Sequence, residues 1–139
     1  EPFDAILLDA PCSATGTIRR HPDILWQKQP EDLAQVTKLQ ARLLDNAVRL
    51  LKPGGLLVYS TCSLEPEEGA AQIENLLMRY ADLERVAIAP DEAGDSRALT
   101  ATGELRTRPF HFTHADPRLS GCDGFFASRL RRKSSSSGK

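Results

Sequence analysis

The sequence predicts an α/β fold with a mostly parallel sheet, and two observations support this prediction. Two short apolar runs, residues 5–8 and 56–59, have the length and composition of buried strands. A long helical pattern lies between them, and a strand, a helical crossover and a second strand form a βαβ unit with parallel strands. Each strand ends in a loop that contains a cysteine. Both loops are therefore expected at the carboxyl-terminal edge of the sheet, where ligands bind in open α/β folds.

The first strand is continuously apolar after Asp4, which predicts that the sheet buries it on both faces. A connecting segment over residues 13–30 follows. It contains three potential cations and an indole ring, a combination suited to phosphates and a stacked base. These residues are Arg19, Arg20, His21 and Trp26. Composition alone leaves open the alternative of a solvated turn with Trp26 packed into the core.

The crossover helix is predicted to begin at Pro30, because proline and the acids Glu31 and Asp32 suit the unpaired amides and the dipole of a first turn. Its apolar side chains recur at helical spacing. They are Leu33, Val36, Leu43, Leu44, Ala47, Val48 and Leu51. A lysine, a proline and two glycines at positions 52–55 end the helix, and the second strand follows directly.

A second strand-to-helix unit repeats this pattern. Pro66 opens a predicted helix with Glu67 and Glu68 in its first turn, and residues 83–89 are interpreted as a further parallel strand. The apolar stripe of this helix consists of Ala70, Ile73, Leu77 and Tyr80.

The rest of the chain is less regular. Residues 90–121 are rich in turn-forming side chains and are interpreted as a loop, with a short extended piece at residues 105–112. A last strand follows a glycine turn, and we expect residues 125–130 to be inserted antiparallel into the sheet. The serine-rich end, residues 134–139, is expected to be a disordered tail.

The composition is that of one soluble domain of 139 residues with a net charge of −1, which gives no global electrostatic reason to expect a nucleic-acid partner. The apolar runs are too short for a membrane span, so no membrane partner is expected.

Three cysteines without a Cys-x-x-Cys pair fit neither a disulfide framework nor a zinc knuckle, and they suggest a reducing cytoplasm. His111 and His114 are spaced as His-x-x-His in a loop, where we do not expect a metal site. The chain begins directly with a strand, so we expect it to be part of a longer protein.

Cys62 is the candidate nucleophile, because it ends the second strand between two hydroxyl residues. The alternative is a packed structural cysteine, since a thiol in an apolar site is unreactive. The first strand repeats the design with Asp9, Pro11 and Cys12, followed by small residues. Two strands thus each place a cysteine at one edge of the sheet, which favours a reactive site.

Three motifs carry a resemblance to a known family. They are residues 9–16 (DAPCSATG), residues 60–63 (STCS) followed by residues 65–68 (EPEE), and residues 124–126 (GFF). With these motifs the sequence resembles the RNA cytosine-C5 methyltransferases. Residues 18–26 look most like the bacterial Sun/Fmu (RsmB-like, NSUN) members that modify small-subunit ribosomal RNA. The resemblance covers nearly the whole chain.

The resemblance implies that residues 1–133 are the C-terminal half of a Rossmann-like class I S-adenosylmethionine-dependent methyltransferase sheet. It implies that Cys62 is the nucleophile, that Cys12 helps to release the product, and that Asp9 contacts both S-adenosylmethionine and the target cytosine, with Pro11 beside the cofactor. The implied partner is RNA, namely 16S rRNA, held in part by the cations and the indole of the connecting segment. In the family, the loops that hold the nucleoside part of the cofactor, an active-site lysine and an RNA-binding domain lie upstream of the first residue. We therefore expect this chain alone to be inactive and to bind the cofactor weakly.

The chemistry of C5 methylation explains these residue types. C5 of cytosine is a poor nucleophile, so a thiolate first adds to C6 and makes C5 enamine-like. A cysteine at its reference pKa is only about 3 % thiolate at pH 7, so such a site should lower the pKa or pass the proton to a base. Asp9 can interact with the N3 and N4 edge of the base, and Cys12 is the candidate base for the C5 proton. The target base must leave any stacked structure to reach this site.

Other functions remain as alternatives. A tRNA cytosine-C5 methyltransferase would use the same residues, whereas a DNA cytosine-C5 methyltransferase would move the nucleophile to Cys12. The second cysteine loop argues against the DNA enzyme. A methyltransferase of exocyclic amines is disfavoured because those sites have an aromatic residue after the proline. A non-catalytic RNA-binding fragment would leave both cysteines packed, and a cysteine hydrolase would need an oriented histidine partner that the loops do not offer.

Overall fold

A five-stranded sheet forms the centre of the structure, a computed structural model that describes residues 1–134. Its strands are β1 (Phe3–Asp9), β2 (Leu51–Thr61), β3 (Leu83–Arg85), β4 (Leu105–Thr107) and β5 (Phe125–Arg132). The order is β1-β2-β5-β3, and β4 also pairs with β5. β1 and β2 are parallel, whereas β5 is antiparallel to each of its neighbours. The predicted α/β sheet with parallel strands and one inserted antiparallel strand is confirmed.

Four α-helices connect these strands in the described part of the chain: α1 (Ile24–Gln27), α2 (Pro30–Leu50), α3 (Ala70–Arg79) and α4 (Pro90–Ala93). Helix α2 is the crossover between β1 and β2, and it begins at Pro30 as predicted. The carboxylate of Asp32 accepts a hydrogen bond from the amide of Gln29 (2.9 Å), which satisfies an amide at the start of the helix. No helix within residues 1–134 is long and apolar enough to cross a membrane.

The core lies between the sheet and the two longer helices, α2 and α3, which pack against each other. Apolar side chains from both helices and from the two central strands β2 and β5 are fully enclosed there. The cluster includes Leu44, Val48, Leu57, Tyr59, Ile73, Leu76, Phe126 and Leu130. Strand β2 is thus held by β1 and β5 on its two edges and by helices on one face, so the loop that follows it starts from a fixed point.

The expectation that both faces of the first strand are buried is wrong. The Leu7 side chain is 71 % exposed and that of Phe3 is 53 % exposed. Within residues 1–134, β1 lies at the edge of the sheet and pairs with β2 alone, and α2 packs against it. An apolar sequence indicates that a strand is suited to burial. It does not reveal whether the residues that bury the strand belong to this chain.

Several predicted boundaries also need correction. β3 ends at Arg85 and not at residue 89. The amide of Val86 still donates to Arg129 of β5 (2.8 Å), but the amide of Ile88 donates to the carbonyl of Gly103 (2.9 Å) in the following loop. The chain forms a 3-10 turn over Pro66–Glu68 before α3 begins, which leaves Ala70 exposed and outside the apolar stripe.

The predicted loop over residues 90–121 contains α4, β4 and two 3-10 turns. β4 is the extended piece that the sequence suggested, limited to Leu105–Thr107. The last strand starts at Phe125 and continues to Arg132, two residues beyond its predicted end. Most of the predicted tail, residues 135–139, lies outside the described residues.

Candidate active site

The two cysteine loops meet at the carboxyl-terminal edge of the sheet. Cys12 follows β1 and Cys62 follows β2, and their sulfur atoms lie 3.4 Å apart. Both side chains are partly buried. At this distance one thiol can donate a hydrogen bond to the other sulfur, so the two cysteines form one chemical site. The expectation that parallel strands bring both loops to one edge is confirmed.

Backbone hydrogen bonds join three separate segments beside the cysteines. The amide of Gly16 donates to the carbonyl of Cys62 (2.9 Å), and the amide of Gly124 donates to the carbonyl of Gly16 (2.7 Å). The segments approach so closely that a Cβ atom on Gly16 would lie 1.9 Å from the carbonyl oxygen of Gly124. A larger residue does not fit at this point, which explains why the first and the last sequence motifs each contain a glycine.

A buried carboxyl group, that of Glu68, contacts both loops. Its Oε1 atom accepts hydrogen bonds from the amide of Ser13 (2.8 Å) and from Nε2 of Gln40 (3.0 Å). Its Oε2 atom accepts from the hydroxyl groups of Ser13 and Ser63. The sequence pattern assigns Glu68 only to the first turn of a helix and therefore misses this position. The available signal was the serine after each cysteine, because buried hydroxyl groups need an acceptor.

The two thiols differ in their surroundings. Burial raises the pKa of Cys12 to about 12, the neighbouring Cys62 adds to the shift, and a hydrogen bond with the backbone of Ala14 opposes it. At neutral pH Cys12 is therefore a thiol and not a thiolate. As a thiol, Cys12 can donate a hydrogen bond to the Cys62 sulfur.

Asp9 lies at the end of β1 with an exposed side chain, and its Oδ1 accepts a hydrogen bond from the hydroxyl of Ser60 (3.1 Å). Pro11 is exposed, and its carbonyl accepts a hydrogen bond from Nε2 of Gln40 (2.9 Å). A cavity of about 360 Å³ opens beside Cys12. Its lining includes Thr15, Lys28, Leu33, Val36 and Glu65. The site therefore combines a thiol pair, an exposed carboxyl group and a mostly apolar cavity at one edge of the sheet.

The amino-acid sequence of the chain matches a known family. The sequence model of the 16S rRNA methyltransferase RsmB/F family matches residues 1–131. The chain belongs to this family. A curated relative, the ribosomal RNA small subunit methyltransferase B of Photorhabdus laumondii, is 44 % identical over 131 residues, which are 94 % of this chain and 27 % of the relative. The chain thus spans about a quarter of the length of that relative.

Solved structures support the same assignment. A methyltransferase homolog protein from Pyrococcus horikoshii is similar with a TM-score of 0.67 and 34 % identity, over 94 % of this chain and 39 % of that protein. NSun6 from Pyrococcus horikoshii with SFG, an analogue of S-adenosylmethionine, is similar with a TM-score of 0.66 and 26 % identity, over 91 % of this chain and 29 % of that protein. The Rossmann-like sheet of this RsmB/F-family chain is thus shared with known methyltransferases.

The basic segment of the chain is not a set of isolated cations. Arg19 and Arg20 both contact the carboxylate of Asp123, at 2.8 Å and 2.5 Å. The Arg20 hydrogen bond, with a smaller contribution from Arg19, lowers the pKa of Asp123. His21 is exposed, and Trp26 is 85 % exposed, so the alternative in which Trp26 packs into the core is wrong. Whether these four residues bind RNA stays a prediction.

The structure adds a residue that the sequence did not suggest. Arg106 on β4 is buried, and its Nη1 donates to the carbonyl of Ser63 (2.5 Å) on the Cys62 loop. Its guanidinium carbon lies 5.0 Å from the centroid of the Phe126 ring, which is a cation–π contact. Burial lowers the pKa of Arg106 from its ordinary value. The side chain therefore binds the Cys62 loop through the residue that follows Cys62.

Each of the two loop histidines accepts a hydrogen bond from its own loop. Nδ1 of His111 accepts a hydrogen bond from the amide of Arg108 (3.1 Å), and Nδ1 of His114 accepts one from the amide of Asp116 (2.9 Å). Within the part of the chain that the structure describes, no group of three or more His, Cys, Asp or Glu residues could hold a metal ion.

Proposed function

We propose that this chain carries the catalytic residues of a cytoplasmic enzyme that transfers a methyl group from S-adenosylmethionine to C5 of a cytosine in 16S rRNA. Family membership supports the reaction class and the rRNA substrate. The observation that carries the proposed chemistry is the 3.4 Å separation between the sulfurs of Cys12 and Cys62. Methylation at C5 needs one thiol that forms a bond to C6 and a second group that helps to break that bond.

Cys62 acts as the nucleophile in this proposal. Its thiolate adds to C6 of the cytosine, and the electron pair of the C5–C6 double bond moves to C5, which then takes up the methyl group. The S–H group of Cys12 supports this step, because a hydrogen bond to the Cys62 sulfur stabilises its negative charge. The raised pKa of Cys12 keeps the proton on the donor at neutral pH.

Cys12 also acts on the release of the product. Because Cys12 begins the reaction as a thiol, its proton passes to the Cys62 sulfur as the bond between that sulfur and C6 breaks. In the same step the thiolate left on Cys12 accepts the proton from C5, and the electron pair of that C–H bond forms the C5–C6 double bond again.

Asp9 serves both the base and the cofactor in this proposal. One oxygen of its exposed carboxyl group can accept a hydrogen bond from N4 of the cytosine. The other, when it carries a proton, can donate that proton to N3 as Cys62 adds and take it back when the product is released. S-adenosylmethionine supplies the methyl group, and its sulfonium and ammonium cations fit a site that offers the carboxyl group of Asp9. Pro11 lies near Asp9 in the sequence and stiffens the Cys12 loop.

The remaining contacts come from the RNA-facing segment and from the rest of the protein. Arg19, Arg20, His21 and Trp26 form the proposed RNA contact surface. The unpaired edge of β1 and the exposed side chains of Phe3 and Leu7 suit a second half of the sheet that would hold most of the cofactor. We therefore propose that the isolated chain binds S-adenosylmethionine weakly and is inactive, which calorimetry on the chain tests directly.

The test of the reaction compares cysteine variants in the full-length protein that carries this chain, with an rRNA substrate. Cys62→Ala should leave the RNA unmodified and unattached. Cys12→Ala should still attack and transfer the methyl group, and then accumulate as a covalent protein–RNA complex that survives denaturant. Removal of a positioned acid or base costs about 10²- to 10⁴-fold in rate, enough for the complex to accumulate. Cys122→Ala is the matched control and should behave like the unmodified enzyme.

The opposite pattern would overturn this assignment. A covalent complex with Cys62→Ala and none with Cys12→Ala would make Cys12 the nucleophile, as in a DNA-type enzyme. Unchanged methylation in both variants would leave the cysteines as packing residues and remove the proposed chemistry altogether. Asp9→Asn should suppress formation of the complex even in the Cys12→Ala background, because Asp9 acts on the attack step.

A further inference from the structure

Glu68 has an unusual environment for a carboxyl side chain. It is fully enclosed, with 0 % of the residue exposed, and it forms no ion pair with any residue in the range 1–134. A buried charge without a cation is costly unless hydrogen bonds replace its water. Enclosed carboxyl groups of this kind therefore need a specific set of donors around them.

The donors around Glu68 come from the two cysteine loops. Ser13, the residue after Cys12, donates to Glu68 through its amide (2.8 Å) and its hydroxyl (2.5 Å). Ser63, the residue after Cys62, donates through its hydroxyl. One carboxyl group thus bonds to the immediate neighbours of both sulfurs.

The crossover helix α2 completes the set. Nε2 of Gln40 donates to Oε1 of Glu68 (3.0 Å) and also to the carbonyl of Pro11 (2.9 Å), the residue before Cys12. The backbone carbonyl of Glu68 accepts a hydrogen bond from the buried hydroxyl of Tyr59 (2.7 Å) on β2. The backbone of Glu68 is therefore bound to β2, and its carboxyl group is bound to the Cys12 loop.

We propose that Glu68 is a positioning residue that sets the separation of the Cys12 and Cys62 sulfurs, by binding the serine that follows each cysteine. The proposal rests on the proposed function, in which the two sulfurs act on one cytosine in succession. Neither cysteine contacts Glu68 through a side-chain hydrogen bond, so the effect passes through the backbone of the two loops. The structure contains no other carboxyl group, among the residues it describes, that hydrogen-bonds to both loops.

The hydrogen bonds of Glu68 predict how its variants should differ. In Glu68→Gln, the amide oxygen can accept from Gln40 and the Ser13 amide, while the amide nitrogen donates to the two serine hydroxyls, which can turn to accept. The glutamine variant should therefore keep the loops together. Glu68→Ala leaves all of these donors and hydroxyls without a common partner. The hydrogen bond from Gly16 to the Cys62 carbonyl still joins the loops, but the two sulfurs should shift relative to each other.

The separation of the sulfurs can be read by disulfide formation. Diamide takes up two hydrogen atoms as two thiols join into one disulfide, and the Cys12 and Cys62 sulfurs need to move from 3.4 Å to the bond length of about 2.05 Å. The assay uses the full-length protein with Cys122→Ser, to exclude the third cysteine, and measures the Cys12–Cys62 disulfide by mass spectrometry. Glu68→Ala should slow this reaction by about tenfold or more, because misplacement of reacting groups by about 1 Å costs up to about 10²-fold.

The controls separate positioning from stability. Glu67→Ala removes an exposed carboxyl group from the same turn and should react like the unmodified protein. Glu68→Gln should restore the rate of disulfide formation, and in methylation assays Glu68→Ala should lower kcat with little change in KM for the RNA. A residue that only stabilises the fold would lower the melting temperature without changing the disulfide rate of the folded molecules.

Two outcomes would overturn the proposal: an unchanged disulfide rate in folded Glu68→Ala, or a slow rate in Glu68→Gln equal to that of the alanine variant. If Glu68→Ala does not fold, Ser63→Ala replaces it, since it removes the only side-chain link between Glu68 and the Cys62 loop. An unchanged rate in Ser63→Ala would equally refute the proposal. These assays need no methylation, so a failure of the cysteine mechanism, seen as normal methylation by Cys62→Ala, is recognised separately.

Discussion

The two cysteine loops have similar sequences but unequal support. Cys62 follows β2, which pairs with β1 on one edge and with β5 on the other. Cys12 follows β1, the edge strand, and its loop continues into the exposed segment around Trp26. The proposed nucleophile thus follows the central strand, and its partner thiol lies on a loop that leads to the proposed RNA contact surface.

The same difference appears in the hydrogen bonds of the loops. The Cys62 loop is held from three directions, by the amide of Gly16, by the guanidinium group of Arg106 and by Glu68. The Cys12 loop shares the Gly16 and Glu68 contacts and is also bound by Gln40 and by Gly124. Among the described residues it has no counterpart of the buried Arg106 contact. If this unequal support governs reactivity, stability and RNA binding, changes in the two loops should have different effects.

The largest expected effect concerns the reactivity of Cys12. Its pKa is raised to about 12 from an ordinary value of 9.0, so its thiolate fraction at pH 8 is lower in the folded chain than in the unfolded chain by about 10³-fold. Alkylation of Cys12 by iodoacetamide should be slower by about this factor in native buffer than in urea. Peptide mapping by mass spectrometry gives the rate for each cysteine.

The same shift has a consequence for stability. Folded Cys12 keeps its proton to higher pH than the unfolded chain does, so its contribution to stability is complete below about pH 9 and is lost as the pH rises toward 12. The free energy of unfolding of the unmodified chain should fall over this range more steeply than that of Cys12→Ala. Equal slopes, or fast native alkylation of Cys12, would contradict the assigned environment.

The next largest effect is expected at the contact between the loops. Gly16→Ala places a Cβ atom 1.9 Å from a backbone oxygen of Gly124, which cannot move without disturbing β5. We expect the chain to lose about 3 kcal/mol of unfolding free energy, as in other overpacked sites, and the Cys12–Cys62 disulfide to form more slowly. Chemical denaturation measures the loss.

A matched change in the same loop should have the opposite sign. Ala14 has a φ of 60°, a left-handed conformation that is unfavourable for a residue with a Cβ atom. Ala14→Gly should therefore be neutral or stabilise the chain by up to about 1 kcal/mol. A stable Gly16→Ala, or an Ala14→Gly as damaging as it, would show that close packing does not control this loop.

The features that follow from strand order could be predicted from the sequence, and those that depend on contacts between distant side chains could not. The βαβ pattern was enough to bring Cys12 and Cys62 together, because parallel strands end at one edge. The proposed role of Glu68 depends on its contact with Gln40 of α2. The helical periodicity of the sequence identifies Gln40 only as a polar residue and does not reveal this contact. Leu7 looked buried because hydrophobicity does not reveal whether a strand lies at the edge of the described sheet.

A smaller effect is expected at the exposed side of the Cys12 loop. Arg20 pairs with Asp123 at the surface, so Arg20→Ala should leave the unfolding free energy nearly unchanged. If the segment binds phosphates, the same change should weaken RNA binding by about tenfold and reduce the salt dependence of log K by about one unit. Filter binding by the full-length protein at several salt concentrations measures both quantities.

A second arginine provides the control for charge. Arg118 forms a similar pair with Asp116 (2.7 Å) in an exposed loop, and its side chain is 88 % exposed. Arg118→Ala removes the same charge from a different surface and should leave RNA binding nearly unchanged. Equal losses from Arg20→Ala and Arg118→Ala would mean that net charge, and not the proposed contact surface, controls RNA binding.

The smallest effect separates the two hydroxyl residues on either side of Cys62. The Thr61 hydroxyl is buried and has no hydrogen-bond partner in the described part of the chain, whereas the Ser63 hydroxyl donates to Glu68. A buried hydroxyl without a partner loses its hydration and gains nothing in return, so Thr61→Val, which preserves the shape, should raise the unfolding free energy by up to about 1 kcal/mol. Ser63→Ala should instead lower it by about 1 kcal/mol, because it removes a made hydrogen bond to an enclosed carboxyl group. Urea denaturation measures the free energy of unfolding of the two variants. If both variants lose the same amount of unfolding free energy, Thr61 has a hydrogen-bond partner in solution and the two sides of Cys62 are equally supported.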